Sequence, residues 1–400
     1  MKSLIRVIIN KTNIFIFFLS IFLFLADTYT LTWPIPEGSP GRYSITSTLG
    51  EFRSATRTHK GIDIGVKQQP VLAAEDGMIT GKGYTDSTGY YLEINKRFRY
   101  YHLEKDDYFN NIKVGDYVRE GQRIATSGNS GVDSRGNPYP YHLHFEVGDR
   151  NNSENPLLYF EIPDTNNGVI GEVYFKSVDK LLVLKDGMIF NKSKPFPVSG
   201  EFIVNAYDIS NTGSNHVNFY KIVSTIDNKV LKEWEFNVSH TDEASLIYSI
   251  SNPTSTISNF YYRMGNWLSK EGKHFLTIEG YDLNNSTPRF SAGKTIKFII
   301  DYTPPQIGLK QPPDIIWVPP SEWPGGDYKS SINYPVKISF DAIDNIAVDD
   351  VYAYVDGKLV GRWEDLESDI FLSTTTVCGW SKHTLTITAT DLAGNMTGLI

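Results

Sequence analysis

The stretch YPYHLHFEVG, residues 139–148, sets His142 and His144 one residue apart in an alternating apolar run. A strand alternates its faces with period two, so both imidazoles point to one side and Leu143, Phe145 and Val147 to the other. Two imidazoles on one strand face either act together or are two solvated side chains. The rest of the chain decides between these. Four of the eight histidines lie between residues 59 and 144. THKGIDIG places His59 four residues before Asp63, beside a glycine that permits a bend, and YYHL carries His102. Imidazole nitrogen and carboxylate oxygen suit zinc, and a catalytic zinc keeps three protein ligands and a fourth position for water. Two histidines and one aspartate leave such a site with a net positive charge, which acidifies that water. Two further imidazoles beside it could orient the water, shuttle its proton and stabilise an oxyanion. Taken singly, His102 reads as a structural residue of a Tyr-rich strand and Asp63 as a turn residue. The inference rests on the combination.

The elements that must position these residues are short strands. Residues 31–162 are dense in glycine and in runs such as PVLAAEDGMITGKG, GYYLEINKRFRYYHL and VGDYVREGQRIATSGNSG. Turn signals recur roughly every 8–12 residues, the pattern of an all-β domain. ENPLLYFEIPDTNNG, residues 154–168, reads as the exit from that domain, with Pro163 and the Asn/Gly cluster as a linker. The abundance of Tyr (24) and Phe (22) also favours strands, and no long stretch of helical period follows the N-terminus.

The remainder holds an internal repeat. FIVNAYDIS, FYKIVSTIDNKVLKEW and KHFLTIEGYDLNN follow one another from residue 202, and KISFDAIDN, VYAYVDGKLVGRW and KHTLTITATDLAGN follow from residue 337. Order and chemistry match in both copies, as in tandem modules. DYTPPQI, residues 301–307, divides them, because Pro-Pro breaks pairing and stiffens a linker. The alternation and the Asp/Asn/Gly turns predict β-sandwiches over 168–302 and 303–400. Only five residues follow Asn395, so the last module reads as short or cut off. Trp234 and Trp363, at equivalent positions of the repeat, read as core. Asp341, Asp344, Asp349 and Asp350 match no EF-hand spacing and read as solvated turn carboxylates.

At the N-terminus, Lys2, Arg6 and Lys11 precede the apolar run IFIFFLSIFLFLA, residues 14–26. The run is short for a membrane span and fits a secretory signal, or an anchor that stays uncleaved, over residues 1–30. The expectation is an exported protein, periplasmic, cell-envelope or extracellular, that touches a membrane only through this segment. The single cysteine, Cys378, forms no internal disulfide and reads as a small, partly buried residue. With a net charge of −8 and no basic run, nucleic acid is not expected as a partner.

The ordered set H-x-x-x-D, Y-x-H-L and H-L-H-F-E resembles the lysostaphin/LytM-type zinc endopeptidases, which cut peptide bonds of peptidoglycan. VLAAEDGMI, VGDYVREGQRIATSGNSG and WPIPEGSPGRYSITSTLGEFR support the resemblance, which covers residues 33–150. It implies a LytM-type β-sheet domain with one zinc per chain, held by His59, Asp63 and His144. The catalytic histidines fall on His102 and His142, and the substrate would be peptidoglycan peptide. Both downstream copies resemble the Ig-like modules of bacterial surface proteins, on the strength of TATDLAGN and YTPP, and wall or protein partners are implied for them. The chain departs from the peptidase pattern at Tyr101, where a small residue is usual, at Gly89-Tyr90, where Gly-Asn is common, and at Ala125, where Gly is common. Its loop VDSRGNPYPY is long and rich in Tyr. These departures touch no ligand and bear on the substrate groove. The competing readings are a metal-free activator of other wall hydrolases, which would lack several of the five residues, and a surface scaffold or adhesion protein with a vestigial head. A lipoyl-type carrier domain would need a lysine flanked by methionines, and none occurs.

Overall fold

The computed structural model describes residues 31–240, 243–310, 336–363, 367–372 and 384–400; of 336–338 and 367–372 it describes the backbone only. The apolar leader and Cys378 lie outside these residues. Among the described residues strand accounts for 53% and helix for 4%, so the all-β reading holds there. No helix among the described residues is long and apolar enough to cross a membrane.

The chain divides into two units, one of residues 1–46, 61–163 and 284–287, the other of 47–60, 164–283 and 288–400. Up to residue 163 the strands are β1 (Ile45–Ser47), β2 (Phe52–Ser54), β3 (Arg57–Thr58), β4 (Ile62–Ile64), β5 (Pro70–Leu72), β6 (Gly77–Thr85), β7 (Gly89–Ile94), β8 (Phe98–Leu103), β9 (Tyr117–Val118), β10 (Arg123–Thr126), β11 (Leu143–Gly148) and β12 (Ser153–Glu154). The main sheet runs β1-β4-β11-β8-β7-β6-β9, with β12 added to β11, and β5 pairs with β10 separately. The central pairs β4–β11, β11–β8, β8–β7 and β7–β6 are all antiparallel.

One face of this sheet is the core. Ile62, Ile64, Leu92, Ile94, Phe98, Tyr100, Leu143, Phe145 and Val147 are buried in one cluster. Each such side chain contributes about 1.5–3 kcal/mol relative to exposure. Period-two alternation then decides what the other face carries. With Ile62 and Ile64 inward, Asp63 points away from the core, and with Leu143, Phe145 and Val147 inward, so do His144 and Glu146.

The second unit has two cores. The first lies between a sheet built on Val169–Lys176 and Ser199–Ile209 and another built on Lys221–Ile226, Gly272–Asn284 and Thr287–Ile300. Trp234 is buried in it, as the repeat pattern leads one to expect. Leu49 and Phe52, from the segment that carries β2 and β3, bury their side chains in this same core, which explains why residues 47–60 group with it. The Tyr248 hydroxyl donates to the Gly50 carbonyl, 2.8 Å away, and ties the segment down. The second core gathers Phe340, Ala342, Val351, Ala353, Ile387 and Ala389, with Trp363 packed against it. Met396–Leu399, after Asn395, is itself a strand paired with Leu385–Asp391.

Candidate metal centre

All five residues singled out by spacing come together on the face of the main sheet away from the core. In β4 and β11, Asp63 lies directly opposite His144, and on the other side of β11 the partner of His144 is Tyr101 of β8. His59 sits where the chain leaves β3 for β4. Its backbone is fixed by two bonds to the preceding hairpin, His59 N–H to the Glu51 carbonyl and Gly50 N–H to the His59 carbonyl, each 2.8 Å. Ligand atoms of His59, Asp63 and His144 lie within 4.8 Å of one another.

His102 reaches this face by a break in alternation. Tyr100 and Leu103 are both buried in the core, and between them β8 spends two residues where β7 spends one: Leu92 pairs with Tyr100 and Tyr90 with Leu103. Such a bulge re-aims a side chain. Strict alternation would send His102 into the core beside Tyr100. Instead its backbone adopts φ 62°, uncommon for a residue with a side chain, and the ring turns to the site. Its centroid lies 4.5 Å from that of His142 and 6.2 Å from that of His144.

The hydrogen bonds assign the nitrogens. His59 Nδ1 bonds the Thr48 carbonyl at 2.9 Å, His102 Nδ1 the Ser130 carbonyl at 2.9 Å and His142 Nδ1 the Pro140 carbonyl at 2.8 Å. A carbonyl only accepts, so each Nδ1 carries the proton and each Nε2 the lone pair. His144 differs: Nδ1 faces Asp63 Oδ1 at 2.8 Å and Nε2 faces Glu146 Oε1 at 3.1 Å. His142 Nε2 is 3.8 Å from the same Asp63 oxygen.

The electrostatics follow from this. Burial, aided by the neighbouring His142 and His144, pulls His102 down to about 3, so its imidazole is neutral. Burial also acts to lower His144, but the bonds from Asp63 and Glu146 outweigh it and raise the group to about 9. Glu146 would rise on burial; the contacts with His144 and Arg99 bring it to about 2 instead. The pocket between Asp63 and His144 thus favours positive charge.

That donor set fits a cation. Two imidazoles and one carboxylate are the ligands zinc takes at catalytic sites, and the groups behind them are those that fix metal-binding histidines: a main-chain carbonyl for His59 and a carboxylate for His144. Glu146 is the residue the spacing argument passed over. It lies two positions beyond His144, so period two could have placed it on the site face. Arg99, which bonds Glu146 at 2.5 Å and is 0% exposed, could be found only from the fold. The same is true of Ser130 and of the placement of Tyr139, whose ring lies 4.4 Å from His102. Tyr101, expected to touch no ligand, instead stacks on His144 with centroids 5.2 Å apart, because the two residues pair across β8 and β11.

Residues 57–156 match the Peptidase family M23. This part of the chain is similar to the M23 peptidase domain. Over 107 residues, 25% of this chain and 21% of the other, it is 36% identical to an uncharacterized metalloprotease of Haemophilus influenzae. Over 112 residues, 26% of this chain and 34% of the other, it is 33% identical to the L-Ala--D-Glu endopeptidase of Bacillus subtilis. Among solved structures, a zinc containing peptidase from Vibrio cholerae is 26% identical over 31% of this chain and 37% of its own, with a TM-score of 0.24. The chain spans about a fifth to a third of the length of the two curated relatives. Within the matched residues, His59, Asp63 and His144 could hold the metal that the metalloprotease relatives imply.

Proposed function

We propose that the protein is an exported zinc endopeptidase that hydrolyses peptide bonds of peptidoglycan. The observation that carries this reading is the three-donor cluster of His59, Asp63 and His144 with two further imidazoles beside it, His102 and His142. The name of the Bacillus subtilis relative specifies a bond between L-Ala and D-Glu, and D-amino acids in such linkages are the chemistry of wall peptides. Export is supported by the charged and apolar leader of residues 2–26. The two cores of the second unit, each between antiparallel strands that follow the repeat, support two Ig-like modules that hold the enzyme to wall or partner.

Zinc bound by the three ligands supplies Lewis-acid polarisation of the scissile carbonyl and of water. The protein's own groups do the rest. His102 and His142 present Nε2 lone pairs, held in place by the Ser130 and Pro140 carbonyls, and either can take a proton from the attacking water. Once protonated, the same nitrogen donates to the developing oxyanion or to the leaving amine. Tyr101 and Tyr139 wall the histidines and narrow the approach of the peptide.

The test is metal content and wall hydrolysis on one preparation, purified without chelator. Expected are about one zinc per chain and release of new amino groups from purified wall that chelator abolishes. The freed termini name the bond. Absence of both zinc and release across several wall types would sink the reading in favour of a metal-free activator or scaffold.

A further inference from the structure

A second cluster of ligand atoms lies far from the peptidase site in the sequence. Asp301, Asp344 and Asp391 bring carboxylate oxygens within 4.8 Å of one another. Asp301 follows the last strand of the first core in the second unit, Thr287–Ile300, and opens DYTPPQI. Asp344 lies in the turn between Val336–Ile343 and Val348–Val355, and Asp391 ends Leu385–Asp391, all three strands around the second core. The cluster therefore joins the two cores where the chain passes between them. Asn395 spans the same joint: its side-chain amide donates to the Asp301 carbonyl at 3.0 Å and to Asp391 Oδ2 at 2.8 Å.

Three carboxylates so close repel one another, and an acidic cluster alone says little about a ligand. The decisive observation is what their oxygens lack. Asp301 is 0% exposed; its Oδ1 accepts from Thr303 N–H at 3.2 Å, while its buried Oδ2 meets no hydrogen-bond donor. Asp344 repeats the pattern: Oδ1 takes the N–H groups of Ile346 and Ala347 at 2.7 and 3.0 Å, and Oδ2 is buried without a donor. Among the described residues no lysine, arginine or histidine pairs with any of the three. The nearby Asn345 amide donates to Glu271 at 3.2 Å and also favours the charged Asp301 carboxylate as a hydrogen-bond donor, so it offsets only part of the repulsion. A buried carboxylate oxygen left without donor or cation is strongly unfavourable, and two of the three carboxylates of this cluster each keep one such oxygen.

We propose that Asp301, Asp344 and Asp391 form a calcium site that locks the joint between the two cores. An all-oxygen carboxylate set suits a hard divalent cation. Two oxygens bound to one calcium at about 2.4 Å each can be no further apart than about 4.8 Å, and the cluster meets this limit. Calcium is favoured over magnesium because ligands from three separate segments form an irregular cage, whereas magnesium demands near-ideal octahedral geometry and keeps its waters.

The site differs from the turn carboxylates expected from the sequence. Asp350 is not a turn residue but lies in the strand Val348–Val355, where Arg362 pairs with it at 2.9 Å. Asp344 does lie in a turn but not alone, because the fold brings Asp301 and Asp391 to it.

The experiment titrates calcium into the chelator-stripped full chain, followed by calorimetry and by thermal unfolding, with magnesium as control. Expected is about one calcium per chain, with a Kd of roughly 0.1–1 mM, and a rise in the unfolding midpoint of about 5 °C that magnesium does not reproduce. His144→Ala retains this response, which separates the site from the peptidase centre. Asp344→Asn and Asp391→Asn each keep an Oδ1 acceptor for the backbone N–H groups, and each weakens calcium binding about tenfold or more. Two variants are used so that misfolding of one leaves the other to decide. A chain that binds no calcium up to roughly 10 mM, ten times the weakest affinity expected, overturns the proposal. So does calcium binding that both Asn variants leave unchanged, or that His144→Ala removes.

Discussion

The rings of His102 and His142 lie 4.5 Å apart, centroid to centroid, and each commits its Nδ1 proton to a main-chain carbonyl, Ser130 for the one and Pro140 for the other. The pair therefore offers two Nε2 lone pairs to one space beside Asp63 and His144. Neither ring has a carboxylate on Nδ1, whereas His144 has one on each nitrogen. This difference sets His144 apart from the pair; His59, which also bonds a carbonyl through Nδ1, is set apart by its place in the cluster with Asp63 and His144.

Replacing either proton carrier should leave the metal bound. His102→Ala and His142→Ala should each keep about one metal per chain and lose roughly 10²–10⁴ in kcat. His144→Ala should lose metal and activity together. Elemental analysis beside turnover on each variant checks the assignment, and metal loss in His102→Ala equal to that in His144→Ala would show the roles to be wrong.

Glu146 positions His144 and neutralises a fully buried arginine. Glu146→Gln keeps the size of the side chain but removes its charge from both partners. Metal affinity should fall roughly 10- to 100-fold, and the unfolding midpoint should fall too, because the buried Arg99 is left with neutral acceptors alone, among them the carbonyls of Gly148 and Asp149 and the Ser153 hydroxyl. A competition titration against a calibrated chelator reads the first effect. An unchanged affinity would mean that Glu146 serves Arg99 alone.

The orientation of His102 depends on Gly89. This residue has φ 61°, and a Cβ there would stand 2.2 Å from the Ser130 carbonyl oxygen that holds His102 Nδ1. Gly89→Ala should cost about 1–2 kcal/mol for the left-handed backbone alone and should push the Ser130 carbonyl aside. The expected signature is a lowered kcat with metal content intact, since no ligand touches Ser130. Full activity in a folded Gly89→Ala chain would show that the carbonyl does not set the ring.

The second unit carries a pH response of its own. Burial, then the charges of Asp282 and Asp164, raises the Asp208 carboxyl to about 8, while the Ser291 hydroxyl works in the opposite sense. Arg289, the cation at this cluster, is paired with Asp282. The folded state thus holds a proton that the unfolded chain releases near its ordinary value of 3.8. The associated stability is complete below that value, declines as pH rises, and is lost once pH passes about 8. The unfolding midpoint should fall between about pH 5 and about pH 9, and Asp208→Asn, which keeps an acceptor for Ser291, should flatten this slope. Equal slopes in the two proteins would remove Asp208 as the cause.

Some of this architecture follows from residue types alone. Alternation in IDI and in HLHFEVG dictates which side chains enter the core and which stand on the other face, because the pleat has period two wherever the strand is regular. It therefore put His142 and His144 on one face, and could have placed Glu146 and also Asp63, which taken singly reads as a turn residue but lies in β4. The same logic fails at His102. A bulge that lets two residues of β8 oppose one of β7 depends on pairing between strands, which no local pattern records.

The tertiary structure alone decided the remaining relationships. Arg99 meets Glu146 across 47 residues, and Asp63 meets His144 across 81. Leu49 and Phe52, read as part of the peptidase domain, bury themselves in the core that follows it. Asp344, a turn residue by spacing, meets Asp301 and Asp391 only because three separate segments converge. Local sequence sets the preferences of each strand through sterics and alternation. Which strands become neighbours is fixed by burying their apolar faces together, and the polar groups on the opposite faces meet as a consequence.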